Sequence, residues 1–97
     1  MNMQAMLKQA QALQKDMLKA KEEIDNTEFV GESSLVKVTL KGTKEVVKVE
    51  INAKELDSDD VEALEDMILV AINEANKKID DLTDKKMGKF SNIPGLF

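Results

Sequence analysis

The first 24 residues carry the most regular apolar pattern in the chain. Apolar side chains recur there at intervals that alternate between three and four residues, which is the a/d spacing of a heptad repeat. The pattern predicts a helix of about 35 Å, which must be covered by a second long helix from this chain or from a partner. The seam residues are Met3, Met6, Ala10, Leu13, Met17, Ala20 and Ile24.

The middle of the chain predicts a β-sheet. Apolar and polar residues alternate over residues 36–40 and again over 47–51, and Gly42-Thr43 supply a turn between them. We therefore expect a β-hairpin over residues 35–51. Phe29-Val30 predict a shorter strand before it. One face of this sheet is aliphatic and requires a cover.

A second helix is predicted from about Asp57-Ser58, where either residue can cap the N-terminus. Its residues 67–72 are apolar without interruption and so occupy the whole circumference, which is typical of a helix buried on all sides. Because a three-stranded sheet covers only one side, we expect a dimer contact here, with helix 1 of the same chain as the competing cover. The candidate dimer-interface residues are Met67, Ile68, Leu69, Val70 and Ile72.

The order of these elements predicts an α+β protein with an αβββα chain, a three-stranded antiparallel sheet and two long helices. If consecutive strands are neighbours, helix 1 enters at one end of the sheet and helix 2 starts at the other. Helix 2, at about 40 Å against about 20 Å for a strand, then extends beyond the sheet. Its basic end would lie on the side where helix 1 began, provided that helix 1 projects from the sheet.

Composition excludes several classes of protein. Ninety-seven residues form one domain, which we place at residues 1–87, with a flexible tail at 88–97. The chain has no histidine or cysteine, which removes imidazole catalysis, thiol nucleophiles and His/Cys metal sites. The acidic stretch from Glu55 lacks the glycine and glutamate of a calcium loop, and no glycine motif for nucleotide phosphates occurs. We expect no enzyme, no metal or cofactor site and no small-molecule substrate.

The chain also carries no targeting or membrane signal that we recognise. Gln4, Lys8, Gln9 and Gln11 interrupt any apolar run at the amino terminus. The longest apolar run, residues 67–72, is far shorter than a membrane span. We therefore expect a cytoplasmic protein without a membrane partner.

Charge is segregated along the chain, although the net charge is −5. Residues 1–21 hold four lysines and one aspartate, and residues 85–97 hold three lysines and no acid. Residues 22–84 hold seven lysines and 18 acids. Because salt screens charges beyond about 8–10 Å, an anionic partner at the two ends need not sense the acidic middle. The candidate residues for binding such an anionic partner are Lys8, Lys15, Lys19, Lys21, Lys85, Lys86 and Lys89.

Two interpretations of these lysines stay open. In the first, they only solvate the outer face of an amphipathic helix, and the Met/Ala seam or the C-terminal tail docks another protein. In the second, they neutralise the backbone phosphates of DNA. The chain has no arginine, tryptophan or tyrosine, which disfavours bidentate base readout and base stacking. Phosphate contacts with weak sequence preference are then the expected mode of binding.

Three stretches carry a resemblance to a known family. They are Met6–Gln11 in helix 1, Leu35–Gly42 in the hairpin and Ala71–Ala75 in helix 2, and the closing Met87 and Pro94-Gly95 also fit. Through this ordered series, which covers nearly the whole chain, the sequence resembles the YbaB/EbfC family of small bacterial nucleoid-associated proteins.

The resemblance implies an intertwined homodimer with projecting helical arms that binds double-stranded DNA and alters its conformation. It also implies a location at the nucleoid, with a role in nucleoid organisation and gene regulation. Lys8 lies within the matched helix-1 stretch, whereas the other six candidate lysines rest on electrostatics alone.

Overall fold

The computed structural model describes residues 2–90, which form two long helices and a three-stranded sheet. Helix α1 spans Met3–Asp25 and helix α2 spans Val61–Met87, with single turns of 3-10 helix at Ser58–Asp60 and Gly88–Phe90. The strands are β1 (Glu28–Ser33), β2 (Val36–Lys41) and β3 (Val46–Ile51). This order confirms the predicted αβββα architecture.

The sheet has the expected order β1-β2-β3, with both neighbouring pairs antiparallel. Strand β1 is longer than Phe29-Val30 alone predicted, because it pairs with β2 along its whole length, from Glu28 opposite Lys41 to Ser33 opposite Val36. The ladder uses backbone groups, so the polar residues at the ends of β1 join it without an apolar signal in the sequence.

The core lies between α2 and the first two strands. Val36, Val38 and Leu40 of β2 are buried against a helix face that includes Ala71 and Ala75. Small side chains allow α2 to approach the sheet closely. At Gly31 of β1, a Cβ atom would overlap the carbonyl oxygen of Ala71 and crowd the amide nitrogen of Ala75. The absence of a side chain at this position therefore sets the distance between helix and sheet.

Helix α2 begins slightly later than predicted. The segment after Asp57 first makes a turn of 3-10 helix, in which the backbone N–H of Asp57 donates to Asp60 Oδ2 at 2.9 Å. The α-helix then begins at Val61. The acidic residues thus organise the start of the helix, as the capping interpretation expected.

Helix α1 projects from the rest of the molecule. The described protein measures 71 × 19 × 14 Å along its principal axes, which is far longer than its sheet. Residues 2–12 are exposed, the seam becomes half-buried from Leu13 onward, and only Ile24 is fully buried. We call residues 3–19, whose lysine and glutamine side chains are all exposed, the arm. The predicted placement of the two basic ends assumed that helix 1 projects from the sheet, and the structure meets this assumption.

Two further expectations concern the ends of the chain and membranes. Of the predicted tail, residues 88–90 form the 3-10 turn that ends at the buried Phe90, and residues 91–97 lie outside the described residues. None of the helices within residues 2–90 is both long enough and apolar enough to cross a membrane.

The contact at Gly31 can be tested by Gly31→Ala. We expect the added methyl group to push α2 away from β1 and to lower the free energy of unfolding by about 1–3 kcal/mol, measured by urea denaturation. Gly88→Ala is the matched control, because a Cβ at Gly88 would meet nothing within 4 Å. Equal stability of the two variants would contradict this account of helix–sheet packing.

Candidate nucleic-acid interface

Three lysines form a line along one side of α1. Successive helical residues are rotated by about 100°, so the spacings of seven and four residues place Lys8, Lys15 and Lys19 within about 40° of one another. They are about 10 Å and about 6 Å apart along the helix axis. No acid within residues 2–90 forms an ion pair with any of them. We call these three residues the lysine stripe; it lies opposite the Met/Ala seam.

The base of α1 is anchored to the turn between β2 and β3. The backbone N–H of Gly42 donates to the carbonyl oxygen of Thr27 at 3.0 Å, and the Thr27 hydroxyl donates to the carbonyl oxygen of Glu23 at 2.6 Å. Gly42 also lies so close to Ile24 that a Cβ atom there would overlap the carbonyl oxygen of Ile24. The sheet therefore holds the last turn of α1, and the arm carries the stripe away from it.

The structure brings the second lysine group to the base of α1. Lys86 Nζ lies 3.2 Å from Glu23 Oε2, so the end of α2 contacts the last turns of α1. Lys85 and Lys89 are exposed in the same region, with Lys89 Nζ 5.1 Å from the centroid of the Phe90 ring. The second lysine group thus follows a helix end that contacts the base of α1 within one protomer, although Lys86 is paired with an acid.

Lys21 stands apart from the other helix-1 lysines. It is rotated away from the stripe and pairs with Asp25, with Nζ 3.8 Å from Oδ2. It lines a groove between α1, the β2–β3 turn and α2, together with residues such as Asp80 and Thr83. Lys21 was predicted together with these three lysines because the prediction summed charge along the chain and did not assign residues to helix faces.

The opposite end of the molecule is acidic. Asp59, Asp60 and Glu62 lie at the start of α2, and Glu65 and Asp66 follow in its second turn. The 27 residues of α2 span about 40 Å, so these acids are several screening lengths from the lysines at its end. Within residues 2–90, no cluster of acidic side chains is arranged to hold a metal ion. Local charge at the arm is therefore basic despite the acidic total.

The aliphatic face of the sheet is only partly covered. Val49 and Ile51 of β3 pair with the buried Val38 and Val36, so they lie on the same face, yet they are 46% and 40% exposed. The reason is that α2 packs on β1 and β2. The sequence predicted correctly that one face of the sheet is aliphatic. It could not predict which strands α2 covers, because the alternating pattern contains no information about the position of the helix.

One flank of α2 is turned toward the β3 side of the sheet. Leu69, Ile72, Asn76 and Asp80 recur at intervals of three or four and share this flank. Asp80 Oδ1 lies 3.1 Å from Lys44 Nζ in the β2–β3 turn, which places the flank on the β3 side. We call Val49, Ile51, Leu69 and Ile72 the open face.

The candidate dimer residues are divided around α2. Met67, Ile68 and Ile72 are half-buried, whereas Leu69 and Val70 are 59% and 51% exposed. Helix α1 meets α2 near Lys86 and leaves Leu69 and Val70 exposed, so the competing cover by helix 1 is excluded for these two residues.

Comparison with known proteins agrees with this architecture. A family model described as the YbaB/EbfC DNA-binding family matches residues 1–93. A nucleoid-associated protein of Pelotomaculum thermopropionicum is 46% identical over 99% of this chain and 96% of its own length. A nucleoid-associated protein of Streptococcus sanguinis is 48% identical over 94% of each chain.

The fold also has a solved counterpart. The crystal structure of an uncharacterized protein from Helicobacter pylori superposes with a TM-score of 0.70, at 22% identity, over 94% of this chain and 96% of that one. At this identity the match concerns the fold alone. The family description names DNA binding, and the names of the relatives state an association with the nucleoid. The chain belongs to the YbaB/EbfC family and is a DNA-binding, nucleoid-associated protein.

Proposed function

We propose that the protein binds duplex DNA as a homodimer, through contacts between its arm lysines and backbone phosphates, and thereby alters DNA conformation at the nucleoid in the cytoplasm. The observation that carries this proposal is the lysine stripe, whose three ammonium groups lie on a projecting helix and have no acidic partner within residues 2–90. A changed DNA conformation is also the means by which such a protein would organise the nucleoid and affect transcription.

The dimensions of the stripe suit a duplex. From Lys8 to Lys19 the stripe covers about 16 Å of helix, a length over which B-DNA presents about ten phosphate charges. Lysine is a flexible point charge, and the chain has no arginine for bidentate base recognition. Contacts of this kind neutralise phosphates with weak sequence preference.

The remaining candidate lysines extend this surface at the base of α1. Lys85 and Lys89 add positive charge at the end of α2, which contacts the base of α1, whereas Lys86 and Lys21 already have acidic neighbours in Glu23 and Asp25. We therefore assign the main contribution to the stripe and a smaller one to the lysines that follow α2. The acidic start of α2 repels DNA, so the duplex would lie at the arm end.

The open face supports the homodimer. It holds Val49, Ile51 and Leu69, which are 46%, 40% and 59% exposed, together with the half-buried Ile72. Removal of this apolar surface from water by a second copy would stabilise the dimer. Of the five candidate dimer-interface residues on α2, Leu69 and Ile72 belong to the proposed contact. Met67, Ile68 and Val70 lie at its margins.

A buried polar atom at the same flank supports the same assignment. Asn76 Oδ1 is buried and has no hydrogen-bond partner within the described residues. A buried acceptor without a donor lowers stability, and a donor from a second copy would remove that cost. Asn76 would thus contribute a polar contact inside an otherwise apolar interface.

The dimer can be tested by Val49→Glu. We expect a carboxylate on the open face to weaken association at least about 100-fold, because it would be buried without a partner, and sedimentation velocity should then detect monomer at micromolar concentration. Lys48→Glu is the matched control, since its side chain lies on the other face of the same strand. A dimer that tolerates Val49→Glu would contradict this interface.

The DNA contacts can be tested through their salt dependence. If both stripes of a dimer neutralise phosphates, the log–log slope of affinity against salt should be about −5. Lys15→Gln removes two contacts per dimer and should reduce the steepness of the slope by about 2 in a fluorescence-anisotropy titration. Lys48→Gln, a lysine of the sheet, is the control and should leave the slope unchanged. An unchanged slope in Lys8→Gln, Lys15→Gln and Lys19→Gln alike would refute the proposal.

A further inference from the structure

The end of the arm carries an exposed apolar cluster that the DNA contacts described above do not use. Met3, Met6 and Leu7 are 83%, 50% and 61% exposed. By helical rotation they lie within about 100° of one another and form one continuous patch. We call these three residues the arm tip. Their side chains lie well beyond Leu13, where the rest of the protein first covers α1.

The arm tip is apolar in a basic setting. The first acid in the chain is Asp16, and Lys8 directly follows the tip. The N-terminus of α1 adds partial positive charge, because the backbone N–H groups of the first turn have no partner within the helix. Asn2 Oδ1 accepts a hydrogen bond from one of them, the N–H of Gln4. A partner that is anionic at its edge and apolar within would match this end of the molecule.

A DNA duplex meets both requirements. Its base pairs present apolar stacked faces within a rim of phosphates, and DNA-bending proteins insert leucine or methionine between base pairs from a basic surface. Methionine is unbranched and flexible, so it can enter a narrow gap between two bases. Burial of the tip side chains would offset the lost stacking of the opened step.

We propose that the arm tip inserts between base pairs of the bound duplex and opens one base step for each arm. The stripe and the tip lie on different sides of α1, so Lys8 can contact a phosphate while the apolar side chains reach the bases. The inference rests on the proposed binding of duplex DNA by the arms and adds a cause for the change in DNA conformation. Pyrimidine–purine steps, which unstack most easily, would be the preferred points of insertion.

The test uses the full chain with all three tip residues changed, Met3→Gln, Met6→Gln and Leu7→Gln. Glutamine preserves helix propensity, which circular dichroism checks, and adds no charge. The probe is a short duplex with 2-aminopurine at a central TA step and a donor–acceptor dye pair at its ends. We expect the wild-type protein to raise 2-aminopurine fluorescence about two-fold or more and to shorten the distance between the dyes.

The tip variant should keep the wild-type salt slope and lose both signals under conditions where anisotropy shows the duplex to be saturated. A variant with Ile93→Gln, Leu96→Gln and Phe97→Gln is the matched control, because it removes three other large apolar side chains, and it should retain both signals. Loss of the signals in this control, with the tip variant unaffected, would overturn the assignment to the tip.

The outcomes separate this inference from the proposed function. If the wild-type protein does not bind the duplex, the proposal of DNA binding by the arms fails as well. If it binds but leaves 2-aminopurine quenched and the dye distance unchanged, only the insertion is refuted. If the tip variant loses a protein ligand in a binding assay yet still opens the base step, the tip is a protein-docking surface and the insertion is equally refuted.

Discussion

The contact between the base of α1 and the β2–β3 turn determines what the rest of this molecule can do. Gly42 lies against the carbonyl oxygen of Ile24, and its amide bonds to Thr27, so the last turn of α1 is held by backbone groups on the sheet. Because the base is held in this way, the preceding turns extend as an arm, and the lysine stripe lies along its exposed side.

Segregation of charge follows from the antiparallel order of the sheet. Three consecutive antiparallel strands send α2 back toward the base of α1, where Lys86 reaches Glu23. The acids at the start of α2 are thereby left at the other end, about 40 Å away. A protein with a net charge of −5 can in this way present a basic surface to DNA, since screening confines each group of charges to its own surroundings.

Both apolar surfaces that the protomer leaves uncovered are products of packing. Helix α2 is one helix wide and lies over β1 and β2, so Val49 and Ile51 remain exposed on β3. Helix α1 is longer than the part of the molecule it can lie against, so Met3 and Met6 remain exposed at its end. A strand pattern or a heptad seam predicts that a residue faces a partner. Neither can say whether the partner belongs to the same chain, because both patterns describe only local geometry.

The two helices, the hairpin, their αβββα order and the two lysine-bearing ends were predictable from the sequence alone, because hydrophobic period, turn residues and charge are local properties. The sequence also indicated the family through short stretches in a fixed order. Once α1 is taken as a helix, its period also places Lys8, Lys15 and Lys19 on one side and Lys21 one turn from Asp25. The exposure of the open face and of the arm tip, in contrast, could be known only from the tertiary structure. These features depend on where α1 and α2 lie relative to the sheet, which is set by contacts between residues far apart in the sequence, such as those of Gly31 and Gly42.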